Sequence, residues 1–260
     1  MSYYVTTFCS GSKYELIKEK WEQRIKNKCK NSSVKIFTEN NDNLPKSYQY
    51  AWWDLERMRN NLNIISETNK VVVNIDMDLI IEKDIEPLVD LDYDFIISTE
   101  IGNDNAFPKE CSKILGFGVC TGFYIIKPNA INFMKNIYES MQLQKYDTCS
   151  DQVNIMNFIV NNNYKISSKE IILDNIKYTN KIIEIENIKI CVLDFNIIIR
   201  DPIFNIGQFG NHINVDNVDG TENFLKYYDN DLESLPLTCR CGKVHLGDNS
   251  ICKHIELRRN

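Results

Sequence analysis

Residues 71–81 read VVVNIDMDLII, a mainly apolar run that contains the two carboxylates Asp76 and Asp78. Such a run is typical of a strand in a parallel sheet that helices cover on both faces. The two acids are costly to bury unless a positive charge compensates them. Because side chains at i and i+2 of an extended chain face the same way, the pair could bind Mg²⁺ or Mn²⁺ through oxygen. The alternative is that both acids only begin the turn that ends the strand.

The residues before this run alternate between strand and helix patterns. A β-rich run at residues 3–8 precedes apolar residues at helical spacing from Tyr14 to Cys29, an alternating run at 34–38, and a second helical face from Tyr48 to Leu62. Strands that alternate with helices predict an α/β fold with a mostly parallel central sheet flanked by helices. Ligands of such sheets bind beyond the carboxyl ends of the strands.

The second half of the chain continues the pattern and then changes it. We expect a third helix after Pro128 and a fourth with Ser150 as its N-cap. Short β-type runs follow beyond residue 163, at 169–173, 182–185, 189–193 and 196–199. No Gly/Ser-rich or Pro-rich linker divides the chain, so we expect one main domain over residues 1–230 and a tail over residues 231–260.

Composition limits the possible partners. The 30 Lys and Arg residues against 36 Asp and Glu residues give a net charge of −6, which argues against nucleic acid as a partner. Neither a secretory signal nor an apolar run long enough to span a membrane is present, so we expect no membrane span and a cytoplasmic location. The bias towards Ile and Asn is typical of an A/T-rich genome, such as that of a large virus, a protist or a low-GC bacterium.

The cysteines fall into two groups. Six lie singly and are expected to be reduced core thiols rather than a disulfide framework: Cys9, Cys29, Cys111, Cys120, Cys149 and Cys191. The tail instead brings five potential metal ligands together: Cys239, Cys241, His245, Cys252 and His254. They could bind Zn²⁺, although their spacing is tighter than in common zinc sites. The alternatives are free surface thiols or a labile disulfide.

Several segments together resemble the nucleotide-sugar glycosyltransferases of the GT-A fold, and glycosyltransferase family eight in particular. In those enzymes an Asp-x-Asp (DxD) motif closes a central strand. It is followed by an acidic-Pro-Leu turn, then by a small-residue loop with a strand, and then by an Asp-Gln motif that opens a helix. A late His-x-x-Gly-x-x-Lys segment then closes the site. The corresponding residues here are Asn74–Ile80, Glu86–Leu88, Gly116–Asn129, Ser150–Gln152, and His212 with Gly220 and Lys226, the last two more widely spaced than in the family.

The resemblance implies a role for each matching residue. Asp76, Asp78 and His212 would bind Mn²⁺ or Mg²⁺, and Asp151 and Gln152 would be catalytic, with Asp151 near the anomeric carbon. The donor would be a nucleotide-diphosphate sugar, with a UDP-sugar expected. The residues expected to bind cofactor and donor are Thr6, Thr7, Phe8, Arg57, Asp76, Met77, Asp78, Asp104, Gly122 and Lys226, with Arg59 as a further candidate.

The resemblance therefore predicts a metal-dependent transferase that moves a sugar to a hydroxyl of a glycan, protein or small-molecule acceptor, with retention favoured over inversion. The rivals are a catalytically silent module that binds nucleotide sugars or glycans, and a metal-dependent phosphoester hydrolase. Individual residues also have structural alternatives. His212 could be a structural histidine, Asp151 could serve only the helix dipole, and Arg57, Arg59 and Lys226 could lie on solvated helix faces.

Overall fold

The computed structural model describes residues 2–10, 12–38, 46–100, 108–143, 150–200 and 208–213, with Leu225, Tyr228 and two short strands near the C-terminus. The predicted features that lie outside these residues include Asp104, Gly220, Lys226, and the side chains of the tail that are candidates for binding Zn²⁺. The expected boundary between residues 230 and 231 stays a prediction.

The described chain contains the following elements. The strands are β1 (Tyr3–Phe8), β2 (Ser32–Phe37), β3 (Val72–Ile75), β4 (Leu79–Ile81), β5 (Phe95–Glu100), β6 (Gly118–Ile126), β7 (Tyr164–Leu173), β8 (Ile176–Ile185), β9 (Ile188–Val192), β10 (Ile198–Arg200), β11 (Gly210–His212), β12 (Leu237–Thr238) and β13 (Val244–His245). The helices are α1 (Ser12–Lys28), α2 (Lys46–Thr68), α3 (Glu86–Val89), α4 (Lys109–Leu115), α5 (Ile131–Leu143) and α6 (Ser150–Asn161). A 3₁₀ turn at Pro128–Ala130 precedes α5.

A central sheet of eight described strands forms the middle of an α/β fold, in the order β2-β1-β3-β6-β5-β9-β8-β7. Strand β1 is parallel to β2 and β3, and β5 is parallel to β9, whereas the other neighbours are antiparallel. The α/β fold and its flanked sheet are confirmed, but the sheet is mixed rather than mostly parallel. The reason is that β6 runs antiparallel between β3 and β5, and β7 and β8 form a hairpin.

Helices cover both faces of this sheet. One face packs against α1 through Ile17, Trp21 and Ile25, and this core continues into a second sheet ordered β10-β11-β4. The other face packs against α2, α4, α5 and α6, with Met58, Met134 and Met156 among the buried side chains. Because both faces of β3 and β6 are buried, apolar and polar residues do not alternate along these two strands.

Two features of the topology position the candidate site. Strands β1 and β3 are parallel, so their carboxyl ends meet at one edge of the sheet, and Asp76 follows β3 there. The chain then leaves the central sheet, and β4 pairs antiparallel with β11, which sets His212 opposite Leu79. This pairing brings a residue from the far end of the chain next to the acidic pair.

The predicted helices near Tyr14, Tyr48, Pro128 and Ser150 are all present. The predicted β-runs beyond residue 163 correspond to β7–β10, but β7 and β8 are longer than expected. Strand β7 is exposed along most of its length, and its exposed residues include Ile166 and Ile172 as well as polar residues, so the hairpin lacks the regular alternation of a half-buried strand. Within the described residues, none of the helices combines the length and the apolar character that a membrane span requires.

The isolated cysteines behave as the sequence predicts where the structure describes them. Cys9, Cys29, Cys111, Cys120 and Cys191 are buried thiols that form no disulfide, and Cys149 lies outside the described residues. Burial raises the pKa of the Cys9 and Cys191 thiols to about 12 and that of Cys29 to about 11. These three thiols are therefore unreactive at neutral pH.

Candidate active site

The acidic pair lies in the turn that connects β3 to β4. The amide of Asp76 donates to the carbonyl of Gly122 at 2.8 Å, and the amide of Leu79 donates to the carbonyl of Asp76 at 3.0 Å. The buried Met77 between the two acids offers its carbonyl to the hydroxyl of Tyr228. The turn is thus fixed by β6 and by Tyr228, so the two carboxylates do not depend on an exposed loop for their placement.

His212 completes a three-residue cluster with Asp76 and Asp78. Its Nε2 lies 3.0 Å from Asp78 Oδ1, and the potential ligand atoms of the three residues all lie within 4.8 Å of one another. Burial lowers the pKa of His212, but the neighbouring Asp78 outweighs burial and raises it well above its ordinary value. Two carboxylates and an imidazole form an oxygen and nitrogen set that suits Mn²⁺.

Gly122 and Cys120 define the other side of the His212 ring. A Cβ on Gly122 would lie 2.6 Å from His212 Cε1 and 2.7 Å from Nδ1, so the ring fits only because residue 122 has no side chain. Cys120 Sγ lies 3.6 Å from Nδ1. The ring is therefore held with Nε2 towards the acidic pair. The family resemblance implies this position for His212, beside Asp76 and Asp78.

Arg57 on α2 joins three carboxylates in the interior. Its Nη1 donates to Asp76 at 2.8 Å, and its Nη2 donates to Asp54 at 2.9 Å and also to Asp151. Burial lowers the pKa of Arg57, but the three carboxylates, Asp151 most of all, raise it above its ordinary value. With only 12% of its side chain exposed, Arg57 does not lie on a solvated face. Arg59, at 43%, pairs with Glu56 instead.

Asp151 lies in the first turn of α6 and is completely buried. Its Oδ1 accepts from Thr121 Oγ1 at 3.0 Å and from the amide of Gln152 at 2.7 Å, while its Oδ2 accepts from Arg57. The side chain of Gln152 donates to Glu100 at 2.8 Å. Asp151 is therefore part of the same charged cluster as Asp76, whereas the Gln152 side chain points to the end of β5.

Asp54 was not identified by the sequence analysis, and Thr121 was included only as part of the segment Gly116–Asn129. Asp54 accepts from Arg57 and also from the backbone amide of Ser150, at 2.8 Å. Burial and the nearby Asp151 raise the pKa of Asp54 well above its ordinary value. A sequence signal for Asp54 did exist, because residues three apart on a helix share one face and Asp54 precedes Arg57 by three.

The three residues at the end of β1 differ in what their side chains contact. Thr6 is buried, and its hydroxyl donates to the carbonyl of Val73 at 3.3 Å, within the sheet. The buried Thr7 hydroxyl has no hydrogen-bond partner among the described residues. Phe8 makes an edge-to-face contact with Trp52, with ring centroids 6.2 Å apart. Thr7 and Phe8 are thus the two residues of this strand end that can offer contacts to a ligand.

The cluster carries excess negative charge. Four carboxylates, from Asp54, Asp76, Asp78 and Asp151, surround one arginine and one histidine. Burial raises the pKa of Asp76, which shows that its ionised form is under-compensated by the protein alone. Asp76 is also the most open of the three clustered ligands, with 27% of its side chain exposed against 9% for Asp78 and 10% for His212. A cation that reaches Asp76 from solvent would fit both the charge and the donor atoms.

Comparison with known proteins gives the family. The family model described as nucleotide-diphospho-sugar transferase matches residues 12–219, which include the acidic pair, Arg57, Asp151 and His212. The chain belongs to this family. No curated protein sequence matches this transferase significantly.

Two solved structures have a fold similar to that of the transferase. One is a glycosyltransferase involved in the glycosylation of the major capsid of PBCV-1, with a TM-score of 0.53 and 10% identity, covering 86% of this chain and 98% of that chain. The other is the galactosyltransferase LgtC in complex with donor and acceptor sugar analogs, with a TM-score of 0.50 and 9% identity, covering 87% and 95%. Both support the GT-A fold for the transferase.

Replacing Arg57 with Gln should destabilise the transferase, because three carboxylates would lose their shared cation. Removing one partner of a buried charge pair typically costs about 3–5 kcal/mol of unfolding free energy. Urea denaturation in the presence of a chelator measures the loss. The Lys26→Gln variant, which removes the exposed pair with Glu22, is the control and should lose less than about 1 kcal/mol.

The pH dependence of that loss has a definite sign. Arg57 lowers the pKa of both Asp54 and Asp76, so its removal raises those values further. A carboxyl group whose pKa is higher in the folded state than in the unfolded state destabilises the fold when the pH is high enough to ionise it. At a pH low enough to protonate it in both the folded and the unfolded state, it has no effect on stability. The cost of Arg57→Gln should therefore shrink as the pH falls. A cost that is independent of pH, or as small as in the control, would contradict this description of the cluster.

Proposed function

We propose that this protein is a metal-dependent glycosyltransferase that transfers a sugar from a nucleotide-diphosphate sugar to a hydroxyl group of an acceptor. The proposal rests on one observation: Asp76, Asp78 and His212 lie together at the carboxyl ends of the parallel strands. Arg57 connects this cluster to Asp151 by donating to both Asp76 and Asp151. This edge is where ligands of such sheets bind. The family supplies the nucleotide-sugar chemistry.

Asp76, Asp78 and His212 would hold the divalent cation, Mn²⁺ or Mg²⁺. The mixed oxygen and imidazole set favours Mn²⁺ of the two, because Mg²⁺ prefers oxygen ligands alone. When bound, such a cation neutralises the charge that develops on a diphosphate leaving group. An acidic protein can in this way bind a substrate with two negative phosphates, with the positive charge supplied by the cation rather than by surface lysines.

Asp151 is the proposed catalytic carboxylate near the anomeric carbon. Donors from Thr121, Gln152 and Arg57 surround its two oxygens and fix their orientation. A fixed carboxylate there would stabilise positive charge on the sugar as the glycosidic bond breaks. Gln152 would lie beside it. Retention of the anomeric configuration, suggested by the Asp-Gln motif, stays a prediction.

The remaining donor contacts follow from position along the sheet edge. The Thr7 hydroxyl, which has no partner among the described residues, and the Phe8 ring lie at the end of β1, beside the end of β3, and would meet the nucleoside. Thr6, whose hydroxyl donates to Val73 within the sheet, is included on the sequence resemblance alone. Met77, between the two acids, and Gly122, whose carbonyl accepts from the amide of Asp76, would lie beside the donor through their backbones. We include Asp104 for the sugar hydroxyls and Lys226 for the diphosphate on the sequence resemblance alone. A UDP-sugar is the proposed donor.

Asp78→Asn should abolish the dependence of nucleotide binding on Mn²⁺. The substitution keeps the shape of the side chain but removes a charge from the cluster, so the cation loses an anionic ligand. Thermal shifts with UDP, in the presence and absence of Mn²⁺, measure the binding because a ligand specific to the folded state stabilises it. The exposed acid Asp92, changed to Asn, provides the matched control. An unchanged Mn²⁺ effect in Asp78→Asn would refute the proposed site.

Asp151→Asn should separate binding from turnover. We expect the Mn²⁺-dependent thermal shift with UDP to survive, while transfer from the UDP-sugar falls at least about 100-fold, in the range expected for loss of one electrostatic stabiliser. Product formation by mass spectrometry measures the transfer. A fully active variant would remove Asp151 from the mechanism. Binding of UDP-sugars by the wild type without any transfer would instead favour a silent binding module.

A further inference from the structure

Asp54 is a buried carboxylate at the contact between α2 and α6, and the proposed mechanism does not yet use it. We propose that Asp54 is a positioning residue, which fixes the first turn of α6 and the Arg57 side chain so that the Asp151 carboxylate has one orientation. The inference rests on the proposed function, since it names Asp151 as the group that is positioned. Its structural part concerns α6 alone and can be tested separately.

The two oxygens of Asp54 bind two different donors. Oδ1 accepts from Arg57 Nη2 at 2.9 Å, and Oδ2 accepts from the backbone amide of Ser150 at 2.8 Å. The first amides of a helix have no partner within the helix and need one from elsewhere. Asp54 supplies that partner from a helix 96 residues earlier in the chain. Its negative charge is also favourable at a helix N-terminus.

Asp151 follows Ser150 directly, so the bond from Asp54 fixes the backbone from which the Asp151 side chain extends. The same Arg57 Nη2 group donates to both Asp54 and Asp151, while Nη1 donates to Asp76. Loss of Asp54 would therefore free the first turn of α6 and also allow the guanidinium to rotate. Two of the supports of Asp151, the first turn of α6 and the Arg57 guanidinium, thus depend on Asp54, whereas the hydrogen bond from Thr121 on β6 does not.

The hydrogen bonds around position 54 explain why this residue is a carboxylate, although a buried carboxylate is costly there. Two carboxylates bonded to one Nη2 group repel each other, and burial adds to the cost of ionising Asp54. A neutral side chain at position 54 would avoid this cost. Only a carboxylate, however, presents two acceptors and no donor, which is what the Arg57 and Ser150 N–H groups require.

The test compares Asp54→Asn and Asp54→Ala with the wild type. In Asp54→Asn one acceptor becomes an NH₂ group, so one of the two bonds is lost, whereas Asp54→Ala loses both. The control is Asp174→Asn in the turn between β7 and β8, where the exposed carboxylate pairs with Lys83 at 2.9 Å. Circular dichroism first establishes that each variant is folded, and Asp54→Asn carries the test if Asp54→Ala is not.

Three quantities are measured on the full chain: hydrogen–deuterium exchange of peptides covering α6, the thermal shift with UDP and Mn²⁺, and the kcat and KM for the UDP-sugar. We expect faster exchange at the start of α6 in both Asp54 variants. The affinity for UDP should stay within about threefold, while kcat falls about tenfold or more, as expected for losing a hydrogen bond to a charged group. Asp174→Asn should match the wild type in all three.

Two results would overturn the proposal. Unchanged exchange at the start of α6 would show that Asp54 does not fix this turn. A parallel loss of UDP affinity and kcat would show that Asp54 does not act selectively on Asp151. If the wild type performs no transfer with any sugar nucleotide, the proposed function fails, and the exchange measurement alone then decides whether Asp54 fixes α6.

Discussion

The guanidinium group of Arg57 contacts the carboxylates of Asp54, Asp76 and Asp151 inside the protein, and the geometry of the site depends on this shared contact. One arginine and the neighbouring His212 do not balance these three acids together with Asp78. Burial and, to a smaller extent, the neighbouring acids raise the pKa values of Asp54 and Asp76, so their ionised forms are costly inside the protein. A divalent cation would relieve this cost, and it would do so at the position where a diphosphate needs a positive charge.

The fold brings these residues together from four separate parts of the chain. Asp76 follows strand β3 at the edge of the central sheet. Strand β4 belongs to the second sheet, where it pairs with β11, so Asp78 lies beside His212. Helix α2 supplies Asp54 and Arg57, and α6 supplies Asp151. Because α2 and α6 pack against each other on one face of the central sheet, the charged cluster connects the two helices to Asp76 in the turn after β3.

Much of this arrangement could be predicted from the sequence, because the strongest signals are local. The run at 71–81 predicts a buried strand and two acids one residue apart, and the family resemblance of Ser150–Gln152 points to Asp151. The structure places the two acids in a turn after β3, and residues 79–81 form a separate strand in the second sheet. The direction of β6 could not be predicted, since a strand buried on both faces has the same apolar pattern in either direction. The role of Asp54 also depends on tertiary packing, because its bond to the Ser150 amide joins residues 96 positions apart. Periodicity shows only that Asp54 and Arg57 share a helix face.

The central claim is that Asp76, Asp78 and His212 together hold a divalent cation that contacts the diphosphate of the donor. The most direct measurement is an anomalous difference map from crystals of the wild-type protein soaked with Mn²⁺ and UDP. We predict one strong Mn²⁺ peak within coordination distance of all three side chains and of the UDP phosphates. A nucleotide bound with no Mn²⁺ peak at these residues, or a peak that His212 does not contact, would contradict the account.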